Sequence, residues 1–437
     1  MKKGLINHQK TWYKLDNAAK IFPGQSTSSY SNVYRLTVTL KEKVNPQLLE
    51  MALLKTMPRF PSFDVRIRNG FFWHYLEKNP NGAPPVRPDS ANPCLRINPK
   101  ENKGYLLRVF YYENRMSVEF YHVLTDGFGA SRFFMTLLAV YLRLTGKNIP
   151  VGGAVLDVDE KPSESESEDA YLKYVKPNTA KAKRVEKFAY QAKGKRLPKH
   201  YINVTTGYMP VDALKKKAAE YGVTVTEYIA GVLVWIMYNL QKEEPFNRNK
   251  PIGVQIPVNV RQFFETETVR NFMLCYSFQL DPRMGEYTFP EILRQLSLYL
   301  RYINNEKNLQ SMMNGNAAIE KNPLMRVTPS FLKDFGINVL YKITGEKATS
   351  SLISNIGLIK APKEMEPYVE KMSLVLAQGM VNAARCGVVS YNGTLALSVT
   401  NIYESTAVQK AIFTTFVKEG IPVKIESNKS VITGGEV

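Results

Sequence analysis

The chain has three cysteines, Cys94, Cys275 and Cys386, far apart and in no CxxC pair. That excludes a disulfide scaffold, a thioredoxin-type site and a zinc ribbon, and a reducing compartment is the simpler expectation. Long apolar runs are also missing. The longest, Ile229 to Leu240, is shorter than the ~20 residues a helix needs to cross a bilayer. Lys2 and Lys3 are followed by no apolar core of a signal peptide. The expected location is the cytoplasm. Acidic residues are few: 39 Asp and Glu stand against 58 Lys and Arg, a net charge of +19. Histidine is scarcer still, at four. The search for a side chain that titrates near neutral pH is therefore short.

What is present is globular. Of the 437 residues, 44% are hydrophobic and 22% charged. This leaves ample material for a large core and excludes a mainly disordered chain or a collagen-like fibre. At about 150 residues per domain, two to three domains are expected. A basic chain attracts nucleic acid, anionic lipid or phosphorylated small molecules. Much of the excess is local, with ten Lys or Arg and one acid between Lys173 and Lys199.

Just before that stretch, Asp157 to Asp169 is acidic and Ser-rich and has no apolar period. It reads as an exposed linker. The expected division is a first lobe over 1–155, a charged linker over 156–200 and a second lobe over 201–437. Both lobes mix strands and helices. Val33 to Leu40 and Arg115 to Val123 read as strands. Asn45 to Lys55 reads as a helix capped by Asn45, and Ser131 to Leu144 as another. In the second half, Asp212 to Tyr221 is a helix, and Thr226 or Thr224 caps the apolar helix running to Leu240. Ile252 to Val260 and Asn271 to Leu280 are strands, and Phe289 to Asn304 is a helix. Gly387 to Tyr391 and Thr394 to Thr400 form a hairpin across Asn392-Gly393. There is no strict βαβ rhythm, so the fold class is α/β in the broad sense, α+β with mixed sheets.

His122 stands in Tyr121-His122-Val123-Leu124-Thr125-Asp126-Gly127. It follows a strand, on that strand's apolar face, and a helix comes next. Burial there would lower its pKa and keep it neutral, as a base must be. Asp126 could fix the loop through an arginine or hold the ring's tautomer. Gly127 permits a positive φ and close backbone approach. The alternative is a core histidine followed by an ordinary Asp-Gly turn. At this composition, His-xxx-Asp-Gly arises by chance in roughly half a percent of such chains.

That motif resembles the active-site signature of the chloramphenicol acetyltransferase-like superfamily. The superfamily includes acyl-CoA-dependent acyltransferases, alcohol acetyltransferases and the condensation domains of peptide synthetases. Other segments agree in order. Trp12 to Pro23 is similar to the opening of bacterial alcohol acetyltransferase-like proteins, and Arg59-Phe60-Pro61 and Gly70 to Trp73 fit their first half. Leu214 to Leu240 resembles the central helix pair. Pro257 to Arg261 and Arg270-Asn271-Phe272 resemble the superfamily's arginine and the strand after it. Ser354 to Gly357 and the late hairpin complete the likeness. Condensation domains usually carry a second histidine where this chain has Tyr121, which favours a stand-alone acyltransferase.

The resemblance implies two similar lobes with a tunnel between them. It implies His122 as general base, Asp126 and Arg261 as a structural ion pair, and Gly127, Ser354 and Asn355 as candidate donors to an oxyanion. It further implies acyl-CoA as co-substrate and a small alcohol or amine as acceptor. No permanently bound cofactor and no metal are expected, and the protein should be a monomer that does not bind nucleic acid. The alternatives are a condensation-type protein using carrier-protein thioesters, and a non-catalytic binding module of the same fold. Asp334-Phe335-Gly336 matches a kinase tripeptide, but no Gly-rich loop or His-Arg-Asp accompanies it. It reads as a structural turn. Cys275 reads as core.

Overall fold

The computed structural model describes residues 12–27, 30–176, 179–181, 186–244, 249–377, 379 and 381–429. The amino-terminal lysines, and part of the basic stretch after Lys173, lie outside them.

Among the described residues, the first half builds a five-stranded sheet. Its order is Val369–Leu376, Val33–Leu40, Arg115–Tyr121, Leu107–Tyr112 and Val86–Pro88. The second half builds a seven-stranded sheet ordered Met273–Leu280, Ile252–Asn259, Ser351–Leu358, Ala384–Tyr391, Thr394–Asn401, Asn203–Pro210 and Lys424–Ser427. Both sheets mix parallel and antiparallel pairs. A small antiparallel sheet of Trp12–Lys14, His74–Lys78 and Val65–Asn69 stands beside the first. This is the expected mixed α/β architecture. One exchange was not legible: Val369–Leu376, from the second half, pairs with Val33–Leu40 and completes the first sheet.

Each half has its own core. Leu36, Val118, Phe120, Phe133 and Leu137 meet in the first; Val232, Leu233, Val254, Leu397 and Ile412 meet in the second. Local sequence explains the main elements. Asn45 accepts from the Leu48 N–H at 3.1 Å, and Pro46 opens the helix Pro46–Thr56, where a missing N–H costs nothing. Asn392 and Gly393 both have positive φ, the geometry that closes a two-residue hairpin.

Three readings change. The helix expected from Ser131 begins at Gly127, because Asp126 Oδ1 accepts from the N–H groups of Phe128 and Gly129. The cap of the helix Val225–Lys242 is Thr224, which forms a reciprocal pair with Glu227. Thr226 is used elsewhere, accepting from Asn355 Nδ2 at 2.8 Å. The acidic segment is exposed over 159–161 and at Ser163 and Glu164, as expected, but its carboxyl end is anchored. Glu166 pairs with buried Arg59 at 2.5 Å, its carbonyl accepts from the Val269 N–H at 2.9 Å, and Tyr171 is buried.

No single described helix is long and apolar enough to cross a membrane. The bent pair Val211–Glu220 and Val225–Lys242 matches a span in length and composition only, and most of the second helix is buried in the core.

Candidate active site

His122 lies one residue beyond the strand Arg115–Tyr121, and its N–H donates to the Asn32 carbonyl at 2.9 Å. The loop after it is pinned from both halves. The Tyr34 hydroxyl donates to the Thr125 carbonyl at 3.0 Å, and the Thr125 hydroxyl donates to the Val269 carbonyl at 2.6 Å. Phe22 stacks on the imidazole at 4.8 Å, and Tyr34 meets it edge-on at 5.2 Å. The ring thus has two aromatic walls and one polar edge.

That edge decides where its proton sits. His122 Nδ1 is 2.9 Å from Asn271 Oδ1. The same asparagine donates through Nδ2 to the His122 carbonyl at 3.0 Å and to Asp16 Oδ2 at 3.2 Å. Two acceptors fix the NH2 group, so Oδ1 must face the ring. Nδ1 therefore carries the proton, and Nε2 keeps its lone pair. Asp16 is fully buried, accepts from the Ala19 N–H at 2.8 Å and lies 3.5 Å from Arg270. Burial pushes the His122 pKa below its ordinary value, against the opposing pull of Asp126, its own carbonyl, Asn271 and Asp16. Burial likewise raises the Asp16 carboxyl, against Arg270 and its hydrogen bonds.

Asp126 turns away from the ring. Its Oδ1 caps the helix Gly127–Leu144. Its Oδ2 accepts from Arg261 Nη1 at 2.7 Å and from the Phe272 N–H at 2.8 Å. The expected pairing with Arg261 is thus present, but through one nitrogen. Nη2 donates to the Thr268 carbonyl at 3.0 Å and the Arg270 carbonyl at 2.6 Å, and Nη1 also reaches Asn259 Oδ1 at 3.2 Å. Both side chains are 6% exposed, so neither charge has water to fall back on. Gly127 differs from expectation, since it does not have a positive φ. Its need is space, because a Cβ there would strike Ile356 of the second half.

A cavity of about 610 Å³, walled by both halves and mainly apolar, holds His122. Gly127 and Ser354 line it; Asn355 does not. The Asn355 amide is already committed to Thr226 and to the Gly357 N–H, at 2.8 Å each. Cys275, expected in the core, is half-buried and lines the cavity. Asp334 sits in the helix Ser330–Ile343, not in a turn, and receives His74 Nε2 at 2.8 Å. Neither Asp16 nor Asn271 stands out in the sequence as a site residue. No spacing links position 271 to position 122; only its place beside Arg270 at the start of a strand drew notice. Among the described residues no cluster of His, Cys, Asp and Glu could hold a metal ion.

No family model and no curated protein matches the chain. Solved structures do. Polyketide synthase associated protein 5 from Mycobacterium tuberculosis is 16% identical, with a TM-score of 0.61 over 93% of this chain and 97% of that one. F. sporotrichioides TRI101, complexed with coenzyme A and T-2, is 12% identical, with a TM-score of 0.62 over 95% and 100%. A mutant starter condensation domain of rhizomide synthetase RzmA, in complex with C8-CoA and Leu-SNAC, is 14% identical, with a TM-score of 0.58 over 93% of each chain. The chain has the chloramphenicol acetyltransferase-like fold. The likeness extends over nearly the whole chain.

Proposed function

We propose that the chain transfers an acyl group from acyl-CoA to a hydroxyl or amine acceptor, with His122 as general base. The observation that carries the reading is the bond from His122 Nδ1–H to Asn271 Oδ1. It leaves Nε2 basic in a cavity large enough for small substrates. The acceptor's proton passes to Nε2 as its oxygen or nitrogen attacks the thioester carbon. The tetrahedral intermediate collapses, the C–S bond breaks, and the proton on Nε2 goes to the departing thiolate. One base serves both steps, so no acyl-enzyme is needed.

The developing oxyanion needs fixed donors. The Gly127 N–H is in the first turn of an 18-residue helix, where it has no partner within the helix. The Ser354 hydroxyl is the second candidate. Asn355 is set aside because its amide is occupied. Asp126 and Arg261 act through geometry, by holding the loop that aims His122. The net charge of +19 suits a phosphorylated co-substrate. Coenzyme A or an acyl-CoA is named in the complexes of two of the neighbours above.

The test is a thiol-release screen of short and long acyl-CoAs against alcohols and amines, with carrier-bound thioesters as a parallel arm. Release of CoA dependent on an acceptor is expected. Release from carrier-bound thioesters alone would assign the chain to condensation-type chemistry. No transfer from either would leave a binding module.

A further inference from the structure

We propose that the helix Ser330–Ile343, with the short helix Pro323–Val327 before it, docks on an anionic lipid bilayer and holds the cavity mouth against it. The helix is amphipathic, but both faces are put to use. Ser330, Lys333, Asp334, Ile337 and Tyr341 line the cavity. Phe331, Phe335, Val339 and Ile343, spaced four apart on the opposite face, are exposed. Phe331 is 63% and Phe335 69% exposed, and Leu324 and Val327 extend the patch at 72% and 65%. Phe71 and Phe72, exposed and bonded through their carbonyls to Ser330 and Lys333, add to it. Scattered apolar residues are normal on a surface, but a contiguous patch of this kind marks an interaction site.

Charge selects the occupant. The acids of this region are turned inward: Asp334 meets His74 at 2.8 Å, Glu346 meets Arg385 at 2.6 Å, and Glu320 pairs with Lys20. Lys321, Arg326 and Lys342 are exposed and make no ion pair among the described residues. An apolar face flanked by unpaired cations is the pattern of a helix lying in a membrane interface. A second copy seated face to face would bring these cations together. The anchoring is firm enough for the role. The Ser330 N–H and hydroxyl donate to the Phe71 and Gly70 carbonyls at 2.7 and 2.8 Å. Lys333 donates to the Phe72 carbonyl at 2.8 Å while lying over the Trp73 ring.

Docking this way would let an apolar substrate reach His122 without crossing water, since Phe72, Trp73, Ile319, Met325 and Leu340 line the same cavity. The substrate class is then a lipophilic acceptor or a long acyl chain. That last step rests on the acyl-transfer reading; the docking does not.

The experiment is flotation of the full chain with vesicles of phosphatidylcholine alone or mixed with phosphatidylglycerol, at low and high salt. The chain should float with the anionic vesicles and less so at high salt. Phe331→Asp with Phe335→Asp should cut the bound fraction about tenfold. Lys321→Glu with Arg326→Glu and Lys342→Glu should abolish the preference for phosphatidylglycerol. Neither Phe331 nor Phe335 lines the cavity, so turnover of a short soluble substrate pair should be unchanged in the first variant. An unbound wild-type chain would overturn the proposal, as would equal flotation of the aspartate variant. So would a concentration-dependent dimer that the variant makes monomeric, because a second copy would then cover the patch. Vesicle binding without acyl transfer would leave the docking standing and remove the reaction. Transfer without vesicle binding would do the reverse.

Discussion

The two halves contribute unlike things to one site. The first half supplies the His122 ring, its loop and the helix that follows, all within Tyr121 to Leu144. The second half supplies partners to the ring and its loop. It supplies Asn271, which sets where the His122 proton sits, and Arg261, which fixes Asp126. Val269 and Ile356 close against the motif, so that a Cβ on Gly129 or Gly127 would collide with them. The motif is local in sequence, whereas the groups that hold its loop and its ring come from 135 and 149 residues away. A site of this kind assembles only when both halves fold and meet.

Five single substitutions probe that division. The largest effect belongs to the ring itself. His122→Ala should lower acyl transfer ~10²–10⁴-fold with unchanged circular dichroism, and near-wild-type turnover would remove the first half's claim to the chemistry. Next comes the pair across the seam. Asp126→Ala and Arg261→Ala should each cost ~3–5 kcal/mol of stability, because each strands a buried charge. The double variant should cost less than the sum. Additive losses in a denaturant series would show that the halves are not coupled there.

Asn271 separates aim from protonation. The base must be neutral, so kcat/KM should fall as pH drops through the His122 pKa. Burial holds that pKa below the ordinary histidine value of about 6.5, and the acid limb should lie there. Asn271→Asp puts a negative charge beside Nδ1–H and favours the imidazolium, so the limb should move to higher pH. An unmoved limb would disconnect Asn271 from the base. The smallest effect is a control. Thr224→Ala removes the cap of a second-half helix and should cost about 1 kcal/mol of stability with no change in the pH profile.

The sequence was legible where signals are local. Val33–Leu40 and the late hairpin have the bounds that alternation and Asn392-Gly393 imply, to within a few residues. His122, Asp126 and Gly127 stood in one short motif. Arg261 was reached only through the resemblance, because nothing in its own neighbourhood points to Asp126. Pairing across the chain was hidden. No pattern in Val369–Leu376 says that it joins the sheet of the first half, since either sheet satisfies an apolar strand. The stretch from Pro323 to Ile343 went unread as helix because many of its apolar residues face outward and others line a cavity, so a core-facing stripe is missing. Asn271 was overlooked as an orienting group for a similar reason: an asparagine beside a strand has ordinary uses, and only the fold brings it to His122.

The proposed base needs its proton at Nδ1, and nitrogen-15 NMR of histidine-labelled protein at neutral pH measures it directly. The His122 signals, assigned by their loss in His122→Ala, should show a protonated Nδ1 and a bare Nε2. In Asn271→Leu, which removes the acceptor, that preference should weaken. A proton on Nε2, or an imidazolium at neutral pH, would contradict the account, because the cavity would then face a donor instead of a base.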